Sequence, residues 1–123
     1  MKKRDILENQ AKIVYLGIGS NLGDRKKNIE IAKSHLSENN LDFLSVSSFY
    51  ETPSWPDPQN PKFLNIVIKA KFNFDPETLL KICKNIEILL GRKKSIKNAP
   101  RVCDIDIIDF NKKSKHLILK HSF

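Results

Sequence analysis

The stretch Pro100-Arg101-Val102-Cys103-Asp104-Ile105-Asp106, continuing through Ile107, Ile108 and Phe110, decides how the rest of the chain is read. It reads as a β-strand, and side chains alternate between the two faces of a strand. Asp104 and Asp106 therefore share a face, about 7 Å apart by the strand rise. Ile105 and Ile107 turn the other way, toward a core. Neighbouring carboxylates repel each other and resist dehydration unless a cation neutralises them. Mg²⁺ suits that task, and when held by one or two carboxylates it commonly holds substrate phosphates as well. Arg101, just ahead of the pair, adds positive charge for the same phosphates. The plainer alternative is an edge strand with a solvated acidic face.

Upstream, Arg92 to Asn98 is a basic loop containing Lys93, Lys94 and Lys97 that leads straight into Pro100-Arg101. Taken alone it reads as a solvated charge run; next to paired carboxylates it reads as phosphate-facing. Before it, Asp75 with Pro76 marks a helix start. Leu79, Ile82, Cys83, Ile86, Leu89 and Leu90 form that helix's core stripe, and Gly91 is the expected stop. Glu87 lies off the stripe near the helix end, where its charge opposes the helix dipole. Solvation is the simple account of Glu87, and a cation or ligand beside it is the other.

Phe63 to Phe72 is a strand with Leu64, Ile66, Ile68, Ala70 and Phe72 on one face and Phe63, Asn65, Val67, Lys69 and Lys71 on the other. Leu41 to Tyr50 reads as the strand before it. Between them Glu51 to Pro61 holds four prolines, which forbid helix and ladder pairing, in a long loop around Trp55. Trp55 either packs over the rim of the core or covers a ligand. The first strand spans Ile13 to Gly19, with Val14, Leu16 and Ile18 on one parity and Tyr15, Gly17 and Gly19 on the other. The turn Gly19 to Asp24 leads into a helix reaching about Glu38, with Ile29, Ala32 and Leu36 on one stripe. Past Phe110, a polar turn over Asn111 to Lys115 precedes a short strand at His116 to Lys120.

With 123 residues, 40% of them hydrophobic and 29% charged, the composition is that of a soluble globular domain with one core. No apolar run is long enough to span a membrane, and the start lacks the apolar stretch of a signal peptide. Residues 1–11 read as a polar N-terminal extension and 12–123 as a single domain. Cys83 and Cys103 stand at core-facing positions and read as a reduced pair in a cytoplasmic protein. A formal charge of +8, spread over scattered lysines, suggests an anionic partner, nucleic acid or polyphosphate.

The order strand, helix, strand, strand, helix, strand predicts an α+β fold, a ferredoxin-like βαββαβ sandwich with an antiparallel four-stranded sheet. Two helices are too few to cover both faces, so one stays open. The mixed parities converge there: Tyr15, Gly17 and Gly19; Phe63 and Asn65; Asp104 and Asp106. Such a face is a ligand floor, with the proline-rich and basic loops as lids.

Five stretches carry a family resemblance: Gly17-Ile-Gly-Ser-Asn-Leu-Gly-Asp24, Ser48-Phe-Tyr-Glu-Thr-Pro53, Phe63-Leu-Asn65, Glu87 with Leu90-Gly-Arg92, and Pro100 to Asp106. In that order they resemble 6-hydroxymethyl-7,8-dihydropterin pyrophosphokinase, the folate-pathway enzyme. The resemblance implies the ferredoxin-like fold and transfer of pyrophosphate from the co-substrate ATP to the pterin hydroxymethyl group, with release of AMP; a monomer is expected. It implies that Asp104 and Asp106 hold two Mg²⁺ ions, that Arg92 and Arg101 contact the ATP phosphates, and that Glu87 and His121 belong to the ATP site. It gives Thr52, Pro53, Trp55, Phe63 and Asn65 to the pterin, with Phe63 as a stacking ring and Asn65 as a hydrogen-bond partner. Loops 52–61 and 92–100 match the family's mobile lids.

The chain also departs from the family. The second lid is one residue short, its usual Trp-Gly is Asn98-Ala99, Lys94 stands near a common arginine, and Ser122 follows His121. The family continues past His121 with a further arginine and a phenylalanine that completes the pterin sandwich; Phe123 does not align with it. The expectation is weakened pterin binding by these 123 residues. Two rival readings are a ferredoxin-like module for RNA or a regulatory ligand, and an inactive paralogue that binds ATP or pterin. Against the RNA module, strand one lacks the aromatic doublet expected on the central strands of an RNA-recognition sheet.

Overall fold

A computed structural model describes residues 11–91 and 100–112. The N-terminal extension (residues 1–10 of it), the basic loop 92–99, the strand expected at His116 to Lys120, His121 and Phe123 lie outside the described residues. In chain order the elements are β1 (Lys12–Ser20), α1 (Arg25–Glu38), β2 (Asp42–Val46), β3 (Tyr50–Thr52), β4 (Phe63–Phe72), α2 (Pro76–Leu89) and β5 (Asp104–Phe110). The fold is α+β, with an antiparallel sheet in the order β2-β4-β1-β5 and β3 also paired to β4.

The sheet therefore has five strands among the described residues, where four were expected. The strand read from Leu41 to Tyr50 is broken at Ser47. The Ser47 N–H donates to the Val67 carbonyl at 2.9 Å, and the Val67 N–H donates to Ser47 Oγ at 2.8 Å. A serine hydroxyl thus stands in for a backbone carbonyl, a local substitution that interrupts regular pairing. β2 takes Lys71 to Ile68 of β4, and β3 takes Asn65 to Phe63. Because β1 occupies the other edge of β4 along its length, β2 and β3 lie end to end on one edge. Glu51 and Thr52, expected in the proline loop, belong to β3.

The core follows the strand parities. Val14, Leu16 and Ile18 of β1, Ile66, Ile68, Ala70 and Phe72 of β4, and Ile105, Ile107 and Phe110 of β5 are buried together with Ile29, Ala32 and Leu36 of α1 and Leu79, Cys83 and Ile86 of α2. Both helices thus cover one face. Their starts are conventional: Asp24 accepts from the Lys27 N–H and Asp75 from the Thr78 N–H, with Pro76 in the first turn. Gly91, at φ +100°, ends α2 as read.

The stripe of α2 needs correction at two positions. Leu89 is exposed, whereas Glu87 is buried at 2% relative exposure. Glu87 is not a solvated end residue: its Oε2 accepts the Ile105 N–H of β5 at 2.7 Å. Both cysteines are buried and are not joined in a disulfide. Among the described residues, no helix is long and apolar enough to cross a membrane.

Candidate active site

On the uncovered face, the register of β1 places Gly19 between Asn65 of β4 and Asp104 of β5, and Gly17 between Val67 and Asp106. With no side chain at either glycine, a trough opens between the acidic strand and β4. It is lined by Gly17, Gly19, Tyr50, Thr52, Phe63, Asn65, Asp104, Asp106 and Ile108. Gly19 in particular has no room for a side chain. A methyl on Gly19 would lie 2.9 Å from Asn65 Oδ1 and 3.2 Å from the Phe63 ring.

Asn65 is oriented by its amide nitrogen, which donates to the Tyr50 carbonyl at 3.2 Å, Thr52 Oγ1 at 3.0 Å and the Phe63 carbonyl at 3.4 Å. Three acceptors around one nitrogen settle which way the amide points. They aim Oδ1 toward Gly19, on the trough floor. Phe63 and Thr52 sit beside it, so an aromatic ring, a hydroxyl and an amide oxygen meet on one side of the trough. On the other side stand Asp104 and Asp106. Arg101 Nη1 lies 3.7 Å from Asp104 Oδ1, an ion pair too long for a good hydrogen bond.

Pro100 to Cys103, read as the start of the acidic strand, precedes β5 instead. Pro100 has no N–H to offer a ladder. The Arg101 N–H goes to Asn21 Oδ1 at 2.6 Å, and its carbonyl accepts the Asn21 N–H at 3.0 Å.

The family model described as 7,8-dihydro-6-hydroxymethylpterin-pyrophosphokinase (HPPK) matches residues 15–122. The chain belongs to the HPPK family. Three relatives, each named 2-amino-4-hydroxy-6-hydroxymethyldihydropteridine pyrophosphokinase, align over 89% of this chain. The Methylorubrum extorquens protein is 34% identical over 72% of its own length. That of Aquifex aeolicus is 40% identical over 70%, and that of Bacillus subtilis 34% over 68%.

Of the residues that the HPPK resemblance assigns, Thr52, Phe63, Asn65, Asp104 and Asp106 line one trough, with Arg101 beside Asp104. Pro53 and Trp55 are not among the lining residues. Trp55 is 83% exposed in the proline loop, so it does not pack over the rim of the core. Glu87 reaches the site from the core side, through the backbone of Ile105 between the two aspartates. Arg92 and His121 lie outside the described residues.

Tyr50 and Ile108 also line the trough and were not singled out from the sequence. Parity gives the signal for Ile108, which shares the face of Asp104 and Asp106. Tyr50 joins only because the edge strand is broken. Asn21, buried at 2% exposure, was likewise read only as part of a turn.

Proposed function

We propose that this chain transfers pyrophosphate from ATP to the hydroxymethyl group of 6-hydroxymethyl-7,8-dihydropterin, giving AMP and the pterin diphosphate. The observation that carries the reading is the trough itself: two carboxylates face an aromatic ring, a hydroxyl and an oriented amide across two glycines. In the reaction the hydroxymethyl oxygen attacks the β-phosphorus of ATP. The bond from that phosphorus to the α–β bridging oxygen breaks, AMP leaves with its electron pair, and the hydroxyl proton is lost.

The donor set fits Mg²⁺. Asp104 and Asp106 offer hard carboxylate oxygens on one face, with no side chain on β1 opposite them to occupy the space. These two residues would hold two Mg²⁺ ions, which when bound neutralise triphosphate charge and lower the cost of in-line transfer. The protein's part is positioning. Asn65 and Thr52 bind the pterin edge, Phe63 stacks on its ring, and Pro53 and Trp55 come from the loop above. Arg101 turns its guanidinium to the phosphates, where a planar fork outperforms an ammonium. Arg92, Glu87 and His121 complete the ATP site, Glu87 by bracing the strand between the two acids. A polyphosphate-bearing small molecule is the anionic partner that the net charge of +8 suggests, in place of nucleic acid.

In finer detail, the fold is a ferredoxin-like sandwich whose edge strand is split into β2 and β3. The domain spans residues 12–123 and acts as a cytoplasmic monomer. The deciding assay measures AMP release with pterin, ATP and Mg²⁺. Release that depends on all three supports the reading. ATP and pterin binding without turnover would mark an inactive relative, and salt-sensitive RNA binding without pterin dependence would overturn the reading altogether.

A further inference from the structure

We propose that Asn21 is a positioning residue for Arg101, and that it ties the placement of that arginine to the end of the proline loop. The inference rests on the pyrophosphokinase reading above. Asn21 lies in the turn after β1, buried, 80 positions from Arg101 in sequence. It grips Arg101 twice: Oδ1 accepts the arginine's N–H at 2.6 Å, and its own N–H donates to the arginine's carbonyl at 3.0 Å. Two bonds to one residue fix that backbone much as a rung fixes a ladder. Only Val102 and Cys103 separate Arg101 from Asp104, so a fixed backbone at 101 holds the guanidinium beside the metal-binding acids.

The other end of the same amide serves the other loop. Asn21 Nδ2 donates to the Pro61 carbonyl at 3.1 Å. One helical turn on, Arg25 donates to the Lys62 carbonyl at 3.0 Å and pairs with Glu51 at 2.8 Å, so both stems of the proline loop are held from this corner. The turn is itself braced by Asn28, whose amide donates to Ser20 Oγ and the Leu22 carbonyl. Asparagine fits the position by chemistry. Aspartate lacks the donor for Pro61, serine is too short to reach both partners, and glutamine is one methylene too long. A shift of the proline loop over bound pterin is thereby transmitted to the arginine that faces the phosphates.

A double-mutant cycle on the whole chain tests this, using Asn21→Ala, Arg101→Ala and the pair. The readouts are kcat, KM for each substrate, and Mg²⁺–ATP affinity by calorimetry. A misplacement of about 1 Å at a phosphate ligand predicts a loss of about 10–100-fold in kcat/KM for Asn21→Ala, shared between kcat and ATP binding. In the Arg101→Ala background the same substitution should then change Mg²⁺–ATP affinity by less than about twofold, because the residue through which it acts is gone. Full additivity of the two losses would overturn the proposal, since a merely structural asparagine would weaken the enzyme whether or not Arg101 were present. Should Asn21→Ala not fold, Asn21→Gln, which keeps a donor and an acceptor, goes through the same cycle with the same expectation. Failure of both to fold would also overturn it, marking the residue as structural alone. If Arg101→Ala itself leaves Mg²⁺–ATP affinity unchanged, the assignment of Arg101 to the phosphates is what fails.

Discussion

Replacing Gly19 with alanine adds one methyl group at the floor of the trough. That methyl would lie 2.9 Å from Asn65 Oδ1, 3.2 Å from Phe63 Cδ1 and 3.8 Å from the Leu64 carbonyl, whereas ordinary contact begins near 3.4 Å. The amide must therefore retreat by about 0.5 Å, more than the 3.0 and 3.2 Å bonds to Thr52 and Tyr50 can absorb within normal hydrogen-bond range. Loss or misdirection of one to two hydrogen bonds, at ~1 kcal/mol each, predicts a pterin Kd raised about 5–30-fold. Stability should fall by only ~1 kcal/mol, as alanine's better strand propensity offsets part of the crowding.

Calorimetric titration with pterin, paired with a thermal melt, reads both effects. Gly17→Ala is the control: its methyl meets only Ile108, with Cδ1 at 3.3 Å, the far end of a flexible side chain. Its pterin affinity should stay within about twofold of the parent, as expected for a contact that can yield. Unchanged pterin binding in Gly19→Ala, or equal losses in the two variants, would refute the argument that Asn65 is a pterin ligand held by a bare strand.

Other predictions follow from single side chains. Asp104→Ala or Asp106→Ala should lower turnover by at least about 10³-fold, the scale of several kcal/mol of lost charge stabilisation, with an unchanged circular dichroism spectrum; wild-type turnover in either would remove the metal assignment. Glu87→Ala leaves the buried Ile105 N–H without its acceptor and should cost ~1–3 kcal/mol in denaturant unfolding, while Glu87→Gln keeps an acceptor oxygen and should cost less. Asp75→Ala should cost ~1 kcal/mol of helix capping at neutral pH. The hydrogen bonds from Thr78 lower the pKa of Asp75, so its contribution is present above the unfolded-state value and lost as pH falls through the lower folded-state value. Melts of the two proteins should accordingly converge in strong acid. Burial, with the Glu87 charge nearby, pushes the Cys83 thiol well up, and Cys103 is buried too, so a thiol reagent at pH 8 should label neither cysteine until the chain unfolds.

Much of the site was legible because strand parity needs only the sequence. Asp104 and Asp106 share a face with Gly17, Gly19, Phe63 and Asn65 once each run is recognised as a strand, whichever strands turn out to be neighbours. The register was not legible. That Gly19 falls between Asn65 and Asp104 depends on pairings across three strands distant in sequence. The break at Ser47 was missed because a serine in a run of serines and aromatics looks like any strand residue; only Val67 opposite it shows that the hydroxyl has replaced a carbonyl. Glu87 was misread for a related reason. Helical periodicity places the apolar residues, but it cannot know that a β5 N–H needs an acceptor there.

By itself, the sequence determined the two helices with their caps and stops, the two faces of the long strands and the presence of paired acids behind an arginine. All of these are short-range properties, set by backbone geometry and by the alternation of apolar and polar residues. The tertiary structure decided which faces meet, how the edge strand divides, and that one buried amide, Asn21, joins Pro61 to Arg101. Those contacts join residues 40 and 80 positions apart, and no local pattern encodes such a distance.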